Sequence, residues 1–307
     1  MNSTHTTERP AHAALQSRPI PAVPVEQWQQ LSAQAHNAGL PLVIRGLFSE
    51  QAARWSPERL ATEFGQQQVG VVVDLPAHGV PYRERSQDYQ RLMKLTDFVP
   101  LLHSGKSCYL NQAPLRDYPA LERELDVPGL ALGRVFALNL WVGSKTRSGL
   151  HFDNADNLFG QIYGKKRALL VGPAHSRYLY PFADNPSKSR IDLEAPDLAR
   201  YPKCSRAEIW ECALEPGDAL YMPRGWWHHI ASEDVSISVN CWHGDSLSEL
   251  EYIRLSLAGG LRVVGRAVYD FFWHGVMRRP YRYRLFSPEP PGIKAYNRIK
   301  PQRARSW

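Results

Sequence analysis

The sequence predicts a mainly β domain, a sandwich or barrel of short strands, with α/β elements before it and helices after it. Three observations carry that reading. From Cys108 onward, short apolar runs are separated by Gly, Pro, Asn and Asp, the texture of many strands joined by turns. After Asp245 the apolar period lengthens from two residues to that of a helix. Nine Trp, fourteen Tyr and ten Phe suit a β-rich core around an apolar pocket.

Taken in order, residues 26–65 look helical at both ends around Pro41 to Leu47 (PLVIRGL), a short β-branched run expected as a strand. Ser56 and Pro57 then open a helix, the serine as cap and the proline in the first turn. Gly70 to Leu75 reads as a strand and Leu95 to Leu102 as a short helix. The clearest strands of the β-rich body are Ala137 to Val142, Gly160 to Tyr163, Ala168 to Val171, Ala219 to Met222 and Val235 to Trp242. Ser246 and Glu249 form a candidate capping box. Leu250, Ile253, Leu257, Leu261, Val264, Val268 and Phe271 follow at helical spacing, broken at Gly259-Gly260. The expected divisions are a loose segment over 1–25, the β-rich domain over 26–245, a helical region over 246–279 and a tail over 280–307.

Composition narrows the class. With 43% hydrophobic and 22% charged residues, the 307-residue chain has the balance of a soluble globular protein. No apolar run approaches the ~18 residues of a membrane span, and the N-terminus has no apolar secretory core. Cys108, Cys204, Cys212 and Cys241 form no C-x-x-C pair, so four reduced thiols and a cytoplasmic setting are expected, without cysteine-bound zinc. The net charge of +7 is concentrated. From Met277 onward nine Lys/Arg face Glu289 alone, which leaves the rest of the chain close to neutral. Such a tail, with Tyr281, Tyr283, Tyr296 and Trp307 interleaved, suits an anionic partner or simply a solvated appendage.

The chemistry concentrates in His151-Phe152-Asp153 and, far downstream, Trp226-Trp227-His228. On a strand, His151 and Asp153 share one face and Phe152 the other. Two imidazoles and a carboxylate form a facial set that leaves positions open on a metal such as Fe(II). The pair alone specifies little. Its context specifies more, because Glu215 to Pro223 is a turn leading into a strand that runs straight to Trp-Trp-His.

Together, PLVIRGL, YLNQ, HFDNADNLFGQIYGKKRALL, YLYPF, EPGDALYMPRGWWHHI and SISVNCWHG, in this order between Pro41 and Asp245, resemble the JmjC/cupin-like oxygenases. Within that family the likeness is greatest to the asparaginyl hydroxylases that inhibit hypoxia-inducible factor. The resemblance implies a double-stranded β-helix (a jelly roll) over 26–245, with His151 and Asp153 near its second core strand and His228 near its seventh. It implies Fe(II) held by His151, Asp153 and His228, with 2-oxoglutarate and O2 as cosubstrates. It selects His228 over His229, which would face away.

The same resemblance places Lys166 on the distal carboxylate of 2-oxoglutarate, with Tyr109 and Ser148 supplying hydroxyls. The serine departs from the more usual threonine. Read without the family, Lys165, Lys166 and Arg167 are only a solvated charge run. Asn157 and Asn240 match asparagines flanking metal and cosubstrate, and Trp242 a large aromatic beside the metal. Gln161 ranks below them. The activity implied is hydroxylation of an unactivated C–H bond in a protein side chain or small molecule, with N-demethylation also open. The stretch after YLYPF differs from the peptide-binding stretch of the asparaginyl hydroxylases, so no substrate residues carry over. The C-terminal helices are expected to cover the barrel or to form a homodimer. Two other classes stay open: a zinc-dependent hydrolase or isomerase on the same three ligands, and a non-catalytic cupin-like binding protein.

Overall fold

The computed structural model describes residues 15–74, 86–125, 133–281 and 289–299. The N-terminal half of the segment expected over 1–25 and most of the basic tail, Tyr283 and Trp307 included, lie outside the described residues.

The chain begins with β1 (Ser17–Pro19), β2 (Ala22–Pro24), α1 (Trp28–Ala38), β3 (Leu42–Arg45), α2 (Ser49–Arg54) and α3 (Pro57–Phe64). The Ser56 side chain accepts a hydrogen bond from Arg59 N, and Pro57 sits in the first turn of α3, as expected. β4 (Gln68–Val73), β5 (Gln90–Lys94), α4 (Leu95–Leu102), β6 (Cys108–Pro114) and α5 (Pro119–Glu122) follow. Leu75, the expected end of the strand that became β4, lies outside the described residues.

Eight strands then build the body: β7 (Val135–Ser144), β8 (His151–Phe152), β9 (Asp156–Tyr163), β10 (Lys166–Val171), β13 (Ile209–Leu214), β14 (Ala219–Met222), β15 (Trp227–Ala231) and β16 (Ser236–His243). A hairpin of β11 (Pro181–Phe182) and β12 (Asn185–Ser189) interrupts them. One sheet has the order β1-β13-β10-β15-β8-β12-β11 and the other β2-β3-β14-β9-β16-β7-β6-β4-β5. Each of the eight body strands lies in the opposite sheet from its predecessor, apart from the step between β10 and β13. That winding is the double-stranded β-helix. β8 is its second strand and β15 its seventh.

Alternation decides what each face does. In β9, Leu158 and Ile162 join the large apolar cluster under α2 to α5, with Trp55, Leu60, Phe98 and Tyr118. Gly160 is on that face too, where a Cβ would run into the Phe48 ring, so a side chain there would have to displace that ring. The alternate residues Asn157, Phe159 and Gln161 therefore look into the barrel. In the same way Leu140 and Val142 face the helices while Asn139 and Trp141 face inward. A second cluster, with Ile20, Leu170, Trp210, Leu220 and Trp226, includes the inward Phe159 and packs between the two sheets beside the polar residues, with Leu170 opposite His228 and Phe159 opposite Asn240.

After the barrel come α6 (Glu249–Leu257), α7 (Leu261–Asp270), a π-helical turn (Phe271–Val276) and α8 (Pro291–Ile299). The capping box is two residues later than expected. Ser248, not Ser246, accepts from the N–H of Glu251, whose carboxylate accepts from Ser248 N. Both pairs have the right spacing. Leu247 N is tied to Asn154 O at 2.6 Å and its side chain packs on the barrel, so the helix cannot start before Ser248. The break at Gly259-Gly260 falls where expected; Gly260 has φ 110°, open to glycine alone without strain. Leu261, Val268, Phe272, Val276 and Met277 leave an exposed apolar face on this region. All four cysteines are buried and unbridged. Among the described residues no helix is long and apolar enough to cross a membrane.

Candidate metal centre

β8 and β15 are hydrogen-bonded neighbours in which His151 stands directly opposite His228. Asp153, two residues past His151, returns to the same face. The Asp153 oxygens are 3.9 Å from His151 Nε2 and 3.8 Å from His228 Nε2. One ligand atom from each of the three lies within 4.8 Å of the others. In a facial set with metal–ligand distances near 2.1 Å the donor atoms lie about 3 Å apart, so the three would draw together by about an ångström or more to share an ion.

The backbone fixes which nitrogens face inward. His151 Nδ1 is 2.8 Å from Gly149 O and His228 Nδ1 is 3.1 Å from Trp226 O. A carbonyl only accepts, so each Nδ1 carries the proton and each Nε2 offers its lone pair. Burial lowers the His151 pKa, and the neighbouring His228 lowers it further. Both effects keep the imidazole neutral, the form that binds a metal. The donor set fits a divalent ion of the iron or zinc type.

Asp153 is held by its neighbours. Trp242 Nε1 donates to its Oδ2 at 3.1 Å and Asn157 Nδ2 approaches the same oxygen at 3.5 Å. Asn157 Oδ1 accepts from Asn240 Nδ2 at 3.3 Å, and Asn240 Oδ1 accepts from Asn139 (3.2 Å) and Trp141 (2.6 Å). A continuous chain of hydrogen bonds thus runs from the carboxylate across β9, β16 and β7. Asn139 and Trp141 are members that sequence reasoning missed. The pattern Asn139-x-Trp141 on one face of an otherwise apolar strand was the available sign.

The chain of contacts continues to Lys166. The Trp141 ring lies 5.7 Å from that of Tyr109, and Lys166 Nζ lies 5.7 Å from the Tyr109 ring centre and 5.2 Å from that of Phe159. Lys166 is only 4% exposed. Its neighbour Lys165, on the opposite face, is 74% exposed and pairs with Glu215 at 2.9 Å. Among the described residues no carboxylate lies within ion-pair distance of Lys166. Burial alone pushes its ammonium down to about 7. Burial also raises the Tyr109 hydroxyl, which stays protonated as a donor.

Ser148 Oγ accepts from Ile230 N at 2.9 Å, leaving its own proton to donate. Gln161 is spent on the fold: its amide donates to Tyr163 O and Gly164 O, and its oxygen accepts from Ser238. His229 faces outward from the site, with Nδ1 on Ser148 O and Nε2 3.6 Å from Glu194.

The family of the Cupin-like domain matches residues 28–249. Lysine-specific demethylase 8 of Xenopus tropicalis is 32% identical over 216 residues, 66% of this chain and 47% of that protein. Jumonji C domain-containing protein 5 of Drosophila melanogaster is 33% identical over 171 residues, 50% of this chain and 42% of its own length. The human tRNA wybutosine-synthesizing protein 5 is 26% identical over 246 residues, 73% of this chain and 78% of that protein. The chain spans about half the length of the first two relatives.

Proposed function

The chain belongs to the cupin-like domain family, and from that membership we propose that it is an Fe(II)- and 2-oxoglutarate-dependent oxygenase. His151, Asp153 and His228 would hold the iron. Lys166, with Tyr109 and Ser148, would receive the distal carboxylate of 2-oxoglutarate. With 2-oxoglutarate and O2, bound iron supplies an oxidant for unactivated C–H bonds, and succinate and CO2 are released.

The observation that carries this reading is Lys166. A buried ammonium without a carboxylate partner is expensive, and a dianionic cosubstrate offsets that cost when it binds. The three ligands would suit zinc equally well. A hydrolytic site, however, needs no second cationic pocket joined to the first by Tyr109, Trp141 and Asn240. A binding protein without activity needs neither the metal-facing Nε2 pair nor that pocket.

The side chains divide the work. Trp242 and Asn157 orient Asp153, and the two carbonyl contacts orient the imidazoles. Asn240 links the metal ligands to the cosubstrate side, and Phe159 with Trp141 keeps water from that side. The reaction expected on the substrate is hydroxylation, with N-demethylation as its variant when the hydroxylated carbon is attached to nitrogen. The relatives' names, demethylases and a tRNA-modifying protein, span protein and RNA. The closer kinship with asparaginyl hydroxylases rests on the shared motifs alone. The exposed apolar face of α7 and the π-helical turn supports a homodimer through the C-terminal helices.

Lys166→Ala tests the assignment. Calorimetric titration of the metal-loaded protein should show 2-oxoglutarate weakened at least about tenfold, the scale of one lost charge-assisted hydrogen bond, with metal affinity unchanged. Unchanged 2-oxoglutarate affinity would contradict it.

A further inference from the structure

A cavity of about 220 Å³ outside the metal centre is lined by Tyr180, Arg190, Arg200, Tyr201 and Arg262. Tyr180 precedes β11 and Arg190 follows β12, so both belong to the hairpin at the sheet edge. Arg262 is in the first turn of α7, whose N-terminus has no side-chain cap, so the positive end of the helix dipole adds to the site. Among the described residues none of the three arginines has a carboxylate within ion-pair distance, unlike Arg147 and Arg167 of the barrel. All three arginines are exposed, so solvent screens their mutual repulsion, and an anion seated between them would be attracted by all three.

The surroundings define the anion. The Tyr180 hydroxyl accepts from Lys203 N at 3.0 Å and keeps its proton to donate. Tyr180 holds φ 48°, outside the usual range for a side-chain-bearing residue, and its ring is 4.9 Å from that of Tyr201. The cavity is smaller than the roughly 300–1,000 Å³ of pockets that engulf a whole small molecule. It suits one compact anionic group presented by something larger. Guanidinium donors match phosphate oxygens in geometry as well as charge.

Two features connect this cavity to a polymer. Lys188 stands opposite His151 in the β12–β8 pairing, and Arg190 is two residues further along the same strand direction. β11 is two strands from β8, roughly 10 Å at the ordinary strand spacing. In the other direction, α7 and the turn after it carry exposed aromatics under arginines. Arg266 lies 5.3 Å from the Tyr269 ring centre and Arg279 5.7 Å from that of Trp273. Basic groups interleaved with exposed aromatics are the surface that binds single-stranded nucleic acid.

We infer that Arg190, Arg200 and Arg262, with Tyr180 and Tyr201, bind a phosphate group of a nucleotide substrate, as part of a nucleic-acid track leading toward His151. Its connection to catalysis rests on the oxygenase reading; the binding does not.

The test is fluorescence anisotropy of a labelled single-stranded RNA of about 16 nucleotides with the full chain. Arg190→Gln, Arg200→Gln and Arg262→Gln are combined in one variant. A control removes three exposed charges elsewhere, Arg91→Gln, Lys106→Gln and Arg123→Gln. Thermal melts verify that both are folded, and Arg262→Gln alone serves if the triple variant is not. The cavity variant should lose at least tenfold in affinity, and its salt slope should fall by about two, at about 0.7 per neutralised charge. The control should change less on both counts. Weak competition by a nucleoside monophosphate supports a strand; competition at concentrations matching the oligonucleotide would contradict the track. Equal affinity and slope in cavity variant and control would overturn the inference, as would tighter binding of a phosphopeptide than of RNA. Anaerobic 2-oxoglutarate absorption of the Fe(II)-loaded protein is read on the same preparations. Its absence counts against the oxygenase alone; an intact band with unchanged RNA affinity counts against the phosphate site alone.

Discussion

At the residue scale, the site is a set of side chains whose freedom has been removed by hydrogen bonds to the backbone and to one another. Each imidazole is pinned by a carbonyl two residues before it, and Asp153 is pinned by Trp242. Lys166 differs, because nothing but burial sets its charge. That has a pH consequence. A dicarboxylate binds the ammonium form. Below about pH 7 that form is already present, whereas above it binding must draw in a proton. The dissociation constant for 2-oxoglutarate should therefore rise with pH above about 7, by up to tenfold per unit, with proton uptake visible by calorimetry in buffers of different ionisation enthalpy. A constant flat to about pH 9 would mean that Lys166 keeps its proton without the ligand. The grouping of His151, Asp153 and His228 was legible because motif and strand alternation converge on them, whereas Lys166 was singled out by the family resemblance alone. Asn139 and Trp141 were not legible, because their role depends on pairing with Asn240 and Tyr109, distant in sequence and adjacent only across β7, β16 and β6.

At the element scale, short strands take their identity from their neighbours. β8 is two residues long and still holds His151 in register, because β15 lies on one side and β12 on the other. No local propensity marks so short a strand; the His-x-Asp alternation did. The cap of α6 shows the opposite limit. Ser246 and Ser248 both satisfy the spacing, and a tertiary contact at Leu247 chooses between them. Ser248→Ala should cost about 1 kcal/mol in denaturant unfolding and Ser246→Ala close to nothing. Equal effects would mean that the box does not decide where α6 begins. The apolar face of α7 and its π-helical turn belongs here as well. Phe272→Asp should shift the protein from dimer to monomer in sedimentation velocity while the barrel stays folded; a monomeric wild type would remove the homodimer reading.

At the scale of the whole molecule, the double-stranded β-helix explains why the ligands lie so far apart in sequence. The chain crosses between sheets at nearly every step, so its second and seventh strands become neighbours, and residues 151 and 228 meet. The inward face is mixed: Asp153, Asn157 and Asn240 form a hydrogen-bonded strip, and Phe159 and Leu170 stand beside it, opposite Asn240 and His228. A chamber lined this way suits chemistry in which apolar walls limit the access of water. The double-stranded β-helix, with His151 near its second strand and His228 near its seventh, was legible through the family motifs. The added edges β1, β2, β4 and β5 were less so, because their partners are set by non-local pairing, such as β1 beside β13.

The most direct measurement is anaerobic titration of 2-oxoglutarate into the Fe(II)-loaded chain, following metal-to-ligand charge-transfer absorption, with His228→Ala alongside. A saturable band in the wild type, absent from the variant, is the predicted result. Folded, iron-loaded wild-type protein that develops no band would contradict the assignment of this site to 2-oxoglutarate chemistry.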